Sequence, residues 1–483
     1  MTPSTRYIKW GIWAYLLLLI FEGALRKWVL PGAADILLIV RDPVVLGVYA
    51  LVLFEGRFPR NGFISFTFAL AIASGVFAFI GGHGNPWVTL YGIRTNYFHV
   101  PFIWVMAEYL DRRDARHMGY AILALAIPMT ILMVMQNRSG PDAWVNRGVG
   151  GGEGGGIHGA MGRIRPPGFF SFITGPMVFF PVATAFCLAF VIEKKKVFAT
   201  WFVYAAGLCI ALALPISISR GVMVICGCVF AVFLACIIIK GAFTASFARA
   251  LAAGIIVLVI LRFMPVTSEA WIVFMDRWDT AAAESQGDAW GSLTSRISAG
   301  FTAPFDLMMD VPFFGQGIGL GSNVAAKLLS GNMGFLLAED EWSRAMMELG
   351  PLLGLGFIGL RVVLWCHILL LSWRALRQRG DFLPMLVTAA SFPPLVLQQW
   401  AQATQLGFAI FDAGLALALI NHPDLPPTED DESESHEDDD GDNSQENEDD
   451  SGEPDDDDTA HDTDAPDELT EDEKRRRRLR GLA

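Results

Sequence analysis

Three acids, Glu339, Asp340 and Glu341, stand in a row just before a long apolar run, in LLAEDEWSRAMMELGPLLGLGF. In a helix that starts near Asp340, Glu341, Arg344 and Glu348 fall at i, i+3 and i+7 and share one face. That spacing suits an intrahelical ion pair. It also suits a general base, Glu341, oriented by Arg344 toward an acceptor hydroxyl. Acids and tryptophan at the start of an apolar helix equally mark a water interface. A second set of residues is cationic: Arg94, Arg163, Arg165, Arg220, Arg277, Arg296 and Arg344. One arginine beside an apolar run pairs with an acid or snorkels to headgroups. Several on one side suit an anionic ligand, because the planar guanidinium fork matches phosphate. Arg220 has the strongest case. It lies in ISISRG at 216–221, between two apolar runs, where little loop is available to solvate it and Ser217, Ser219 and Gly221 permit close approach.

Other residue types carry less. His83, His99 and His158 are isolated in sequence and form no metal-ligand pattern, so no metal and no cofactor is assigned. Cys187, Cys209, Cys226, Cys228, Cys236 and Cys366 all lie in apolar runs and read as small buried hydrophobes.

The elements that must position these groups are membrane helices. Hydrophobic residues make up 53% of the 483 residues, which excludes an ordinary soluble domain. Apolar runs predict about twelve spans, near 10–28, 34–54, 63–82, 95–110, 117–136, 169–192, 198–216, 221–240, 250–266, 345–372, 382–401 and 405–421. The first run is followed by Glu22, Arg26 and Lys27 rather than a small-residue cleavage site, so it is expected to stay as an anchor. FEGALRKWVLP, at 21–31, reads as an interfacial segment. The last two runs form a hairpin bearing Gln398, Gln399, Gln402 and Gln405.

The formal charge of −14 hides two regions. From Asp424 onward there are 27 acids and 6 bases, a net of −21, which leaves 23 acids and 30 bases, a net of +7, in the rest. Residues 1–423 therefore read as a mildly basic polytopic membrane domain, and 424–483 as a disordered acidic tail. Its KRRRRLR stretch at 474–480 suits anionic headgroups or the acidic run itself. Within the membrane domain, 137–168 is a Gly-rich loop with no GKS or GKT to close a phosphate cradle. Residues 267–344 form a long loop containing the amphipathic helix pattern SLTSRISAGFTAPFDLMMD. Arg57, Arg60, Arg112, Arg113, Arg116, Lys194–Lys196, Arg374, Arg377 and Arg379 fall on alternate loops, on the side of Arg6 and Lys9. Positive-inside logic makes that side, and both termini, cytoplasmic, and puts the two long loops outside.

Three motifs carry a resemblance: ISISRG at 216–221, VPFFGQGIGLG at 311–321, and EWSRAMMELGPLLGLG at 341–356. Together with the order of spans they resemble the O-antigen ligase and O-antigen polymerase superfamily of bacterial multi-span membrane glycosyltransferases. FEGALRKWVLP resembles an uncharacterised subgroup of it. The resemblance implies an all-α polytopic enzyme on the outer, periplasmic face of the inner membrane. Such an enzyme takes a glycan from an undecaprenyl diphosphate carrier and joins it, without a metal, to a glycan or lipid acceptor. Arg220 matches by motif as a diphosphate ligand, and Arg94 and Arg165 match by place in the span order. Ligases of this kind carry a histidine in the loop before the penultimate long helix. This chain has AEDEW there, which favours polymerase-like chemistry or puts Glu341 in the histidine's role.

The expected function is thus polymerisation or ligation of a carrier-linked surface glycan, O-antigen or exopolysaccharide. Glu341 and Arg220 carry the chemistry, and Arg94, Arg163, Arg165, Arg296 and Arg344 bind substrate. The expected partners are the carrier-linked glycan, its acceptor, membrane lipids and other envelope polysaccharide-assembly proteins, with no nucleic acid. Two rival functions are a polyprenol-glycan flippase or other transporter, and a membrane scaffold acting through the acidic tail.

Overall fold

The computed structural model describes residues 3–152, 159, 161–192, 200–241, 263, 265–284, 289–331, 337–338 and 340–423. These residues are all-helical, with no strand. In chain order the helices are α1 (Pro3–Ala24), α2 (Arg41–Phe54), α3 (Gly62–Ile80), α4 (Pro86–Ile93), α5 (Phe102–Tyr109), α6 (Arg112–Arg138), α7 (Thr174–Ile192) and α8 (Thr200–Ile216). They continue with α9 (Arg220–Ile239), α10 (Pro265–Glu284), α11 (Ala289–Asp306), α12 (Asn323–Ser330), α13 (Glu341–Arg379), α14 (Leu383–Phe392) and α15 (Ala403–Asn421). Three π turns interrupt this order, at Leu25–Val29, Arg94–Phe98 and Pro393–Leu397.

Among the described residues, seven helices are long and apolar enough to cross a membrane, or eight if the bent pair Pro31–Leu37 and Arg41–Phe54 counts as one span. Shorter apolar helices occupy Thr200–Ile216 and Leu383–Leu397. The predicted run at 95–110 is divided. A π turn and Pro101, which has no N–H to continue a helix, separate α4 from α5. The predicted run at 250–266 and the acidic tail lie almost wholly outside the described residues. The expected amphipathic helix forms as α11.

The fold is organised around α15, which is almost entirely buried. It is wrapped by α5, α14, α7 and α1. Small residues allow the approach. A Cβ on Gly414 would sit 2.9 Å from the Met106 side chain and 3.2 Å from the Ile103 carbonyl. Cys226 and Cys236 are buried as expected, but Cys228 and Cys366 are exposed. Their apolar faces point outward, which costs little when the surroundings are lipid.

Polar contacts collect at two levels. At one level, Lys9 pairs with Asp111 at 2.8 Å, Arg112 with Asp381 at 2.5 Å, and Tyr109 donates to Glu55 at 2.6 Å. At the other lie Glu22, Arg41, Arg94 and Arg361, all drawn into ion pairs or hydrogen bonds. Lys9 to Glu22 and Arg41 to Glu55 each follow a single helix for some thirteen or fourteen residues. At ~1.5 Å of rise per residue the two levels are about 20 Å apart. That falls somewhat short of the ~30 Å of a bilayer's hydrocarbon core.

Candidate functional site

The long helix α13 is two arms. Gly350 breaks it with φ 72 and ψ 175, a conformation open to glycine, and Pro351 follows. Because Pro351 has no N–H, the carbonyl of Met347 loses its helical donor. The Gly-rich stretch at 311–321 supplies replacements. Gln316 N–H donates to Met347 O and Gly317 N–H to Glu348 O, both at 2.9 Å. Gly319 and Gly321 donate their N–H groups to the Glu348 carboxylate at 3.0 and 2.7 Å. His83 completes the anchorage by bonding Ile318 O at 3.0 Å. The glycines are needed for proximity, since a Cβ on Gly315 would sit 2.3 Å from Glu348 O. The motif pair resembling a glycosyltransferase signature is therefore, physically, a loop clamped onto a helix break.

Beyond the break the first arm of α13 folds back along the second, so Glu341 meets Arg361. Asp340 caps the arm by accepting from Ser343 N at 2.8 Å. Glu341, Arg344 and Glu348 share the expected face. Arg344 donates to Glu341 through Nε at 2.7 Å and Nη2 at 3.0 Å, pairs with Glu348 through Nη1 at 2.8 Å, and reaches Asn96 Oδ1 at 3.0 Å. Arg361 Nη1 bonds Glu341 Oε1. Its Nε and Nη2 take Leu395 O and Gln398 O, both at 2.7 Å, and its plane lies 4.3 Å from the Trp400 ring. The π turn Pro393–Leu397 ends a helix whose last carbonyls lack internal donors. Arg361, Trp342 Nε1 and Trp400 Nε1 fill three of them. The four charged side chains are buried, sum to zero formal charge, and leave no nitrogen or oxygen without a partner. This is the intrahelical ion pair that the spacing of Glu341, Arg344 and Glu348 suits. Glu341 is buried and accepts from two arginines and from Trp400 N at 3.3 Å.

A second network lies alongside, joined to the first through the π turn Arg94–Phe98, which holds both Arg94 and Asn96. Arg94 grips Asp42 with Nε at 2.5 Å and Nη2 at 3.1 Å, and Nη2 also reaches Leu38 O at 3.1 Å. His99 Nε2 lies 3.1 Å from the same carboxylate. Arg41 bonds Tyr15 at 3.2 Å and Ala403 O. Arg26 bonds Glu22 at 3.2 Å and Ser171 at 3.3 Å. Arg41 and Glu22 face each other at 3.7 Å, too far for a direct hydrogen bond. Here four buried atoms have no hydrogen-bond partner: Arg94 Nη1, Arg41 Nε, His99 Nδ1 and Glu22 Oε2. Arg26, Arg41 and Arg94 against Glu22 and Asp42 give a formal +1. FEGALRKWVLP is tied to the bundle through its charged residues, while Val29 and Leu30 are exposed. Glu22 and Lys27 are buried, and Lys27 Nζ bonds Gly168 O at 2.9 Å.

The remaining arginines stand elsewhere. Arg220 begins α9 after the cap Ser219, with its guanidinium 5.6 Å from the Trp278 ring on α10. The preceding Ile218 is held at φ 48, a strained conformation for a β-branched residue. Arg163 bonds Asn137 O and Glu269, each at 3.4 Å, in an exposed pair. Arg165 lies two residues further along the same segment, beside Gly159. Arg296 lies on α11, and its side chain, like that of Arg277, falls outside the described residues, as do Glu339 and His158. The structure thus brings Arg94 together with residues that sequence reasoning passed over: Glu22, Arg26, Arg41, Asp42 and His99. Their signal was available, because ionisable residues inside apolar runs are costly there. No protein-family model, no curated protein and no solved structure matches this chain.

Proposed function

We propose that this chain is a membrane glycosyltransferase. It polymerises or ligates a surface glycan carried on undecaprenyl diphosphate, at the periplasmic face of a bacterial inner membrane. The reading takes about twelve spans and places both termini in the cytoplasm. The observation that carries it is the unsaturated network around Arg94. A buried group with net positive charge and an unfilled guanidinium N–H donor on Arg94 suits a diphosphate, which would supply charge-assisted hydrogen bonds. Cations preorganised there stabilise the charge that develops as the diphosphate leaves. Arg94 and Arg41 are the diphosphate ligands in this reading. Arg220, Arg163 and Arg165 are further substrate contacts in this reading, and Glu341 and Arg344 hold the scaffold.

A transporter of carrier-linked glycan is the second reading. The broken helix at Gly350 favours it, since discontinuous helices build the sites of many transporters. Reconstituted protein separates the two. A transferase lengthens or transfers the glycan in detergent, where a transporter has no gradient or second compartment to act across. Topology tests both. Reporters fused at Gly155 and Ser285 are expected outside, and those at Lys195 and Glu446 inside. A cytoplasmic Ser285 reporter would end the carrier argument.

A further inference from the structure

We propose that His99, oriented by Asp42, takes the proton from the acceptor hydroxyl; this rests on the glycosyl-transfer reading. Asp42 has two functions in one carboxylate. It holds Arg94 through two bonds and His99 Nε2 at 3.1 Å. An ionised carboxylate only accepts, so the hydrogen of the neutral ring sits on Nε2 and Nδ1 is left bare. Nδ1 is buried and has no hydrogen-bond partner. The ring is steadied by Phe98 and Tyr15, with centroids 5.0 and 6.0 Å away. A buried acceptor without a donor is unfavourable unless a ligand completes it. Arg94 Nη1, in the same network, is an unfilled donor. One carboxylate therefore positions both a proton acceptor and an anion-binding cation, the two groups that transfer from a diphosphate carrier requires.

The step balances. The acceptor oxygen bonds to the anomeric carbon as that carbon's bond to the diphosphate oxygen breaks. The electron pair leaves on the diphosphate. The hydroxyl proton passes to Nδ1, and the imidazolium later returns it to the diphosphate or to water. Glu341, closed within its arginine pairs, is not needed.

The experiment uses the full chain in membrane vesicles containing the source cells' own lipid-linked glycan, with binding of undecaprenyl diphosphate measured separately. His99→Gln is the sharpest variant. Its amide nitrogen replaces Nε2 and keeps the bond to Asp42, while nothing replaces Nδ1. Binding is expected to stay within about twofold, with transfer falling roughly 10²-fold. In His99→Gly, added imidazole is expected to restore part of the transfer. Undiminished transfer in His99→Gln would overturn the proposal. So would joint loss of binding and transfer, or a His99→Gly protein that binds carrier normally but gains nothing from imidazole. A wild-type chain that fails to bind undecaprenyl diphosphate would overturn the glycosyl-transfer reading along with it.

Discussion

Two buried arginine networks lie side by side, sharing the π turn Arg94–Phe98, and they differ in completeness. Around Glu341, two acids meet two arginines and every side-chain nitrogen and oxygen of the four is bonded, leaving only atoms of their uncharged neighbours Asn96, Ser343 and Gln398 without a partner. Around Asp42, three arginines meet two acids, and four buried polar atoms are left over. A buried ion pair that is complete has nothing to offer a ligand and costs much to open. An incomplete one is costly as it stands and becomes favourable when something fills it. The contrast assigns architecture to the first network and recognition to the second, though both are built from the same residue types.

Breaking the complete network should have the largest effect. Glu341→Gln leaves Arg361 buried without its counter-charge and Arg344 with Glu348 alone. The expected loss is about 3–5 kcal/mol, read as a lower unfolding temperature of the purified protein. A Glu341→Gln protein of wild-type stability with slowed transfer would reverse the assignment and restore Glu341 as a base. The clamp comes next. Gly350→Ala forces a left-handed conformation at a cost of roughly 1–3 kcal/mol and drives a Cβ to 2.2 Å from Phe313 O, so unfolding should shift at least that far.

The incomplete network should respond in the opposite way. Arg94→Lys keeps the charge but loses the fork. Undecaprenyl diphosphate should bind roughly 10–100-fold more weakly, about 1.4–2.8 kcal/mol, while the unfolding temperature falls less than in Glu341→Gln because Lys keeps the charge beside Asp42. Arg220→Lys should be milder. Its ring contact with Trp278 contributes only ~0.5–1 kcal/mol, and a loss of binding as large as that at Arg94 would move the diphosphate toward α9. Truncation after Pro427 should be the smallest change, leaving membrane insertion and unfolding as they were, because low-hydrophobicity acidic sequence adds no core.

The membrane class, the helical content and the face shared by Glu341, Arg344 and Glu348 were legible from apolar runs and a 3.6-residue period. The break was half legible. Gly350-Pro351 announces a disruption, but its reversal depends on which donors replace those missing, and these come from some thirty residues upstream. The partners of Glu341 were not legible. Arg361 is twenty residues away along the same helix, and only the fold-back brings it near. The network at Asp42 was missed because its members come from separate apolar runs, near 10–28, 34–54 and 95–110, and no single run shows that they meet. Their burial comes from packing between helices, which no single-helix pattern records.

The central claim is that the network at Arg94, and not the one at Glu341, meets the ligand. The most direct measurement follows the unfolding temperature of wild type and Arg94→Lys during titration with undecaprenyl diphosphate, since a ligand of the folded state raises that temperature as its concentration grows. The account expects a saturable rise in wild type and the same rise in Arg94→Lys only at about tenfold or more higher ligand. No rise in wild type, or superimposable titrations of the two proteins, would contradict it.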